Sequence, residues 1–87
     1  MLVTTTKTFT KNYSKIPNYI QEDITAFYRE LIDLPDLRGI KNIKKLTGFK
    51  DYYRFKIGDY RVGFSYLNGS VLLITVLHRK DIYKFFP

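Results

Sequence analysis

The chain has 87 residues, 45% of them hydrophobic and 17% aromatic, and a formal net charge of +7 from 15 Lys+Arg against 8 Asp+Glu. That length allows one domain, residues 1–87, and so apolar a composition is not that of a disordered chain. With no cysteine and one histidine, disulfides and thiolate metal sites are excluded, a His-built metal centre is disfavoured and no cofactor is expected. The start, MLVTTTKTF, has no basic-then-apolar leader, and no stretch approaches the ~20 apolar residues that span a bilayer; a soluble, cytoplasmic protein is expected. The positive surplus points to an anionic partner such as nucleic acid, an acidic protein or a membrane surface.

Residues 2–8 are rich in threonine and β-branched, which predicts a short strand. In FTKNYSKI, Phe9, Tyr13 and Ile16 fall at helical spacing, with Thr8 or Thr10 able to cap. Pro17 breaks or restarts the helix, since proline fits a first helical turn. Ile20, Ile24, Phe27 and Leu31 follow at spacings of four, three and four, an amphipathic helix with Glu22 and Asp23 near its start. It should stop near Leu34-Pro35, because the residue before proline avoids helical angles. Residues 35–50 read as an irregular basic loop carrying Arg38, Lys41, Lys44, Lys45 and Lys50, with Ile43 and Leu46 as anchors to the core.

From Tyr52 the period becomes two. Tyr53, Phe55 and Ile57 alternate with Tyr52, Arg54 and Lys56; then Tyr60, Val62, Phe64 and Tyr66 alternate with Arg61, Gly63 and Ser65. This is the pattern of an antiparallel sheet with one apolar face. A Gly58-Asp59 turn sets Ile57 opposite Tyr60 and Lys56 opposite Arg61, a like-charge pair that costs roughly 0.2–1 kcal/mol. Asn68-Gly69 marks a second hairpin, and VLLITVLH at 71–78 reads as a central strand. For this hairpin a three-residue loop with Gly69 as a bulge is preferred. It pairs Tyr66 with Ser70 and Arg61 with Thr75, leaves Thr75 on the polar face, and puts Leu72, Ile74 and Val76 on the core face. By that alternation His78 faces the core side and Arg79 the polar face.

The expected fold is α+β: two N-terminal helices on one face of a roughly four-stranded, mainly antiparallel twisted sheet, with the other face open and concave. Arg54, Lys56, Arg61 and Arg79 point to that open face, and no acid stands among its outward positions 52, 54, 56, 61, 63, 65 and 75. Clustered cations of this kind suit a phosphate or an RNA backbone. In HRKDIYKFFP a helical turn would place Tyr83 one turn from Arg79, where it could stack on an unpaired base. His78 reads as a packed, hydrogen-bonded residue, and Ile82 with one Phe as core. No Ser-His-Asp set, carboxylate pair, phosphate-binding Gly loop or zinc pattern is present.

Taken in series, KLTGFKDYYRFKIGDYRVGFSY and VLHRKDIY resemble the C-terminal half of the RelE/ParE toxin superfamily, and FTKNYSKIP is similar to the start of its members. The resemblance implies a toxin of a type II toxin–antitoxin pair. It implies, for the RelE branch, an endoribonuclease that cuts mRNA in the ribosomal A site, and for the ParE branch an inhibitor of DNA gyrase that generally lacks the cationic set. Arg54, Lys56, Arg61, Arg79 and Tyr83 match the RelE-like set, so a metal-independent mRNA interferase is expected, with a non-catalytic RNA-binding module as a further alternative. Lys41, Lys44, Lys45, Lys50 and Lys80 are expected to contact RNA or the ribosome. The implied partners are a cognate acidic antitoxin, the ribosome and mRNA, with operator DNA only through the antitoxin complex and no membrane. Lys56, whose guanidinium neighbours disfavour a third positive charge, is cast as general base for the 2′-OH. Arg61 and Arg54 would brace the phosphate, Arg79 the leaving oxygen, and Tyr83 would stack on a base. The short tail to Pro87 leaves little room for a C-terminal helix.

Overall fold

The β-branched start does form a strand, but a shorter one than 2–8. Leu2–Thr5 (β1) lies parallel to Ser70–His78 (β5), with Val3 beside Val71 and Thr5 beside Leu73. The structure, a computed structural model, describes residues 1–87. At Thr6 the chain is still extended, and its hydroxyl accepts a hydrogen bond from the Phe9 amide (3.0 Å) and donates one to the Ile74 carbonyl (2.7 Å). Thr6 is therefore the cap of helix Lys7–Tyr13 (α1), rather than Thr8 or Thr10, which already lie inside the helix.

Helix Asn18–Asp33 (α2) follows Pro17 and ends just before Leu34-Pro35, as the proline rule requires. Ile20, Ile24, Phe27 and Leu31 are each no more than 2% exposed. At roughly 1.5–3 kcal/mol per buried large apolar side chain, this stripe is what attaches α2 to the sheet. Phe27 stacks flat on Phe55 at 3.8 Å between ring centroids and meets Phe64 edge-on. No basic residue stands in the last turn of α2; its terminal carbonyls instead accept from the Met1 ammonium, at 2.9 Å (Leu31), 3.0 Å (Ile32) and 2.8 Å (Leu34).

The sheet has five strands, in the order β1-β5-β4-β3-β2, where β2 is Ile43–Lys45, β3 is Tyr52–Ile57 and β4 is Tyr60–Leu67. All neighbours are antiparallel except β1 and β5. The α+β class stands, with one strand more than expected. β2 falls inside the stretch taken for an irregular loop: three residues, two of them lysine, are too few to show a period. It pairs Lys44 with Arg54 and Ile43 with Phe55.

Helices α1 and α2 cover one face, over a core of Phe9, Ile57, Val62, Phe64, Val71, Leu73 and Val76 with the α2 stripe. The opposite face is not left open. A third helix, Arg79–Phe85 (α3), lies across it and buries Ile82 and Phe86 with Leu46, beside Tyr52, Ile74 and Leu77. Glycine at position 63 makes this approach possible, since a Cβ there would lie 2.6 Å from the Phe86 ring.

The second hairpin is closed by a two-residue Asn68-Gly69 turn with positive φ at both residues (50° and 76°), the type I′ pattern. Leu67 pairs with Ser70, not Tyr66 with Ser70. The extra residue of β5 sits further along: Phe64 pairs with Leu73 but Gly63 with Thr75, so Arg61 lies opposite Leu77. Two expectations are corrected. Val71 and Leu73, not Leu72 and Ile74, face α1 and α2 before the bulge, and Thr75 is buried. Its hydroxyl donates to Asn12 Oδ1 at 2.6 Å, and the Val76 amide donates to the same oxygen at 3.2 Å. A buried threonine is tolerated because α1 supplies its partner. Beyond the bulge Val76 faces the core as expected. No helix is long and apolar enough to cross a membrane.

Candidate functional site

The β3–β4 hairpin turns through Gly58, at φ +56°, and Asp59. Its register pairs Ile57 with Tyr60, Lys56 with Arg61 and Arg54 with Gly63. Directly opposed residues share a face of the pleat, so Lys44, through its pairing with Arg54, joins the same side. Four cations thus line one cleft of about 310 Å³, closed by Asn42, Ile43 and Tyr83. No carboxylate is among the lining residues. Asp23 and Glu30 of α2 line a neighbouring depression that also has Lys56 in its wall.

Each cation is held differently. Arg61 curls over the turn, its Nη1 donating to the carbonyls of Gly58 (3.0 Å) and Tyr60 (2.9 Å). The Arg54 guanidinium lies 4.6 Å from the centroid of the Tyr83 ring, a cation–π contact that fixes both groups on the α3 side of the cleft. Lys56 makes no ion pair within 4 Å, and its backbone amide donates to the Asn42 carbonyl at 2.9 Å. Asn42 itself has φ +67° and leads into β2. Lys44 was among the lysines expected to contact RNA, but that β2 brings it to the cleft with Asn42 and Ile43 was hidden in the sequence.

The other candidate residues are dispersed. Arg79 is the first residue of α3 and lies outside the cleft lining. Its amide donates to the Asp59 carbonyl at 2.7 Å, and its side chain makes a solvent-exposed pair with the Asp59 carboxylate at 3.7 Å. Lys45 pairs with Tyr53, whose ring stacks on Phe64, so Lys45 belongs to the opposite face of the sheet from Lys44. Lys41, Lys50 and Lys80 are exposed and do not line the cleft. Arg38 is bound by Asp36 in an exposed pair, and hydrogen bonds from Arg38 hold the Asp36 carboxyl below its usual range. Tyr83 is 70% exposed although it forms part of the cleft, which leaves much of its ring open to a ligand. His78 caps α3, its Nδ1 accepting from the Lys80 amide at 3.1 Å, and it meets Tyr60 edge-on at 5.5 Å. That is the packed, hydrogen-bonded histidine the sequence suggested.

A row of guanidinium and ammonium groups on a rigid hairpin, beside an exposed aromatic ring, can bind a phosphodiester and an adjoining base. Comparison with known proteins bears on what uses it. The family model described as ParE toxin of type II toxin-antitoxin system, parDE, matches residues 3–83. The chain is 36% identical over 88 aligned positions to Toxin RelE3 of Methanocaldococcus jannaschii, covering all of both chains. The crystal structure of the RelB-RelE antitoxin-toxin complex from Methanococcus jannaschii contains a chain that superposes with a TM-score of 0.84 at 33% identity, again over the whole of both. The archaeal RelE-RelB complex from Pyrococcus horikoshii OT3 gives a TM-score of 0.74 at 26% identity, over 90% of this chain and 93% of that one.

Proposed function

Because the chain belongs to the RelE/ParE toxin superfamily, as a RelE-like toxin of a type II toxin–antitoxin system, we propose that it is an endoribonuclease that cleaves mRNA in the ribosomal A site and so stops translation. The observation that carries this reading is the acid-free cleft that joins Lys44, Arg54, Lys56 and Arg61 to Tyr83. RNA brings its own nucleophile, the 2′-OH, so the protein needs only to remove a proton, stabilise a crowded dianion and orient the sugar. Lys56 takes the 2′-OH proton as general base. Arg61 and Arg54 accept the charge that develops on the phosphate oxygens, where prepositioned donors do the most. Both are already held by local partners, Arg61 by the turn carbonyls and Arg54 by Tyr83, so little side-chain ordering is left for the transition state.

Arg79 serves the leaving 5′-oxygen from the rim. Its ion pair with Asp59 is long and exposed, and such pairs are weak enough to yield to a phosphate. Tyr83 offers the free part of its ring to a base. The relatives solved as antitoxin–toxin complexes support a cognate antitoxin as the second partner. An acidic antitoxin suits a chain of charge +7.

Cleavage of mRNA on translating ribosomes by the wild type, Arg61→Ala and Lys56→Met tests the assignment. Losses of at least about a hundredfold are expected in both variants, the size of a missing transition-state donor or base. Wild-type rates in both would reject it. The ParE name of the matching family model favours one competing reading, inhibition of DNA gyrase. In that case chromosomal breaks accumulate in intact cells while mRNA stays whole.

A further inference from the structure

The aromatic residues of the cleft face do not end at Tyr83. Along β3, Lys56, Arg54 and Tyr52 alternate on one face, about 13 Å from first to last at the usual strand rise. Tyr52 is half-buried; its ring meets Phe86 edge-on at 5.5 Å and Phe49 at 6.2 Å. Phe49 stands on the loop between β2 and β3, where Gly48 turns the chain at φ +82° and the Phe49 amide reaches back to the Leu46 carbonyl at 3.5 Å. The Tyr52 ring supports it, yet Phe49 is 48% exposed. Lys50 stands next to it and is exposed as well. The loop thus presents a propped phenylalanine and a cation, in line with a cationic cleft on the same sheet face. Such a pairing of ring and positive charge suits a flexible polyanion with flat bases better than it suits an apolar protein surface.

We propose that Phe49, with Lys50 beside it, is a second RNA subsite, stacking a base of the strand that flanks the scissile step after that strand leaves the cleft along β3. This rests on the ribonuclease reading above and adds a binding residue to it. Stacking on an aromatic is sequence-tolerant, so the subsite extends the grip on the strand without setting the cleavage sequence.

The test uses two single-stranded RNAs blocked at the scissile 2′-OH by methylation. One is just long enough to fill the cleft, and the other is extended on both sides. Phe49→Ala is expected to weaken binding of the extended RNA about tenfold and to leave the short one unchanged, while Phe49→Tyr retains both affinities. Since the chain has no tryptophan, Phe49→Trp supplies a single indole whose fluorescence should be quenched by the extended RNA alone. Arg61→Ala should weaken both RNAs. If Arg61→Ala weakens binding and Phe49→Ala does not, or if Phe49→Ala weakens both RNAs equally, the subsite is wrong and the cleft reading survives. If the wild type binds neither RNA, or Arg61→Ala has no effect, the subsite falls, while the ribonuclease reading is decided separately by cleavage on translating ribosomes.

Discussion

The pairing of Lys56 with Arg61 opposes two like charges across the hairpin and is the centre of the proposed site. Two cations face each other across the hairpin, a third is two residues away on β3, and a fourth comes from β2. Tyr83 joins them through Arg54. If its ring acts by stacking, Tyr83→Phe should keep nearly all cleavage activity on ribosomes, whereas Tyr83→Ala should lose about 5- to 150-fold, the worth of one stacked base. Equal losses in the two variants would instead assign the work to the hydroxyl. The exposed Arg79–Asp59 pair gives a second expectation. Asp59→Asn frees the guanidinium while leaving the backbone contact between the two residues in place, so RNA affinity should rise modestly and the thermal midpoint should barely move. A drop in affinity would remove Arg79 from the proposed site. The Lys56–Arg61 register was legible in the sequence because a two-residue Gly-Asp turn leaves no freedom in the pairing. The Asp59 partner of Arg79 was not, because it depends on where α3 begins.

Among the elements, α1, α2, β3 and β4 followed from periodicity and β5 from its continuous apolar run, while β2 and α3 did not. β2 is three residues, two of them lysine, and α3 begins at Arg79 directly after β5, with no loop to announce it. Both misses matter, since β2 brings Lys44 and α3 brings Tyr83. The seat of α3 depends on Gly63, where a Cβ would strike the Phe86 ring. Gly63→Ala should therefore push Phe86 and the end of α3 off the sheet. Destabilisation of about 1–3 kcal/mol is expected in a denaturant titration, with reduced cleavage, because Tyr83 moves with the helix. An unaltered midpoint would show that the ring can shift at no cost. At the other end of the chain, α2 receives the Met1 ammonium on three carbonyls in place of the basic last turn it lacks. A Gly-Ser extension ahead of Met1 turns that ammonium into an amide. The thermal midpoint should fall by a few degrees, as about 1 kcal/mol of charge–dipole and hydrogen-bond stabilisation is lost.

Across the whole molecule, the charge is divided between a concentrated cleft and scattered lysines. Binding to a single strand should weaken with salt at a logarithmic slope of roughly −0.7 per neutralised phosphate, hence about −3 for Lys44, Arg54, Lys56 and Arg61. Lys44→Ala should make the slope shallower by about 0.7; a slope near −7 would mean that the dispersed lysines bind as well. The two hydrophobic clusters, one under α1 and α2 and the other under α3, share the strands β3 and β5, and the bulge at Ile74–Thr75 lies where they meet. The sequence signalled one surplus residue in this hairpin but not its position, since a bulge beside the turn satisfies the later alternation equally well. That surplus residue has a bearing on chain length. Removing Thr75 would make the β4–β5 ladder regular and leave every remaining side chain of β5 on the face it now occupies. The sheet has no need of it, whereas α1 does, because Asn12 would lose the hydroxyl it binds and the amide beside it would turn to strand pairing. A chain one residue shorter at this point should still form the hairpin, but with α1 held on β5 by the packing of Phe9 and by the hydrogen bonds of its cap, Thr6, alone.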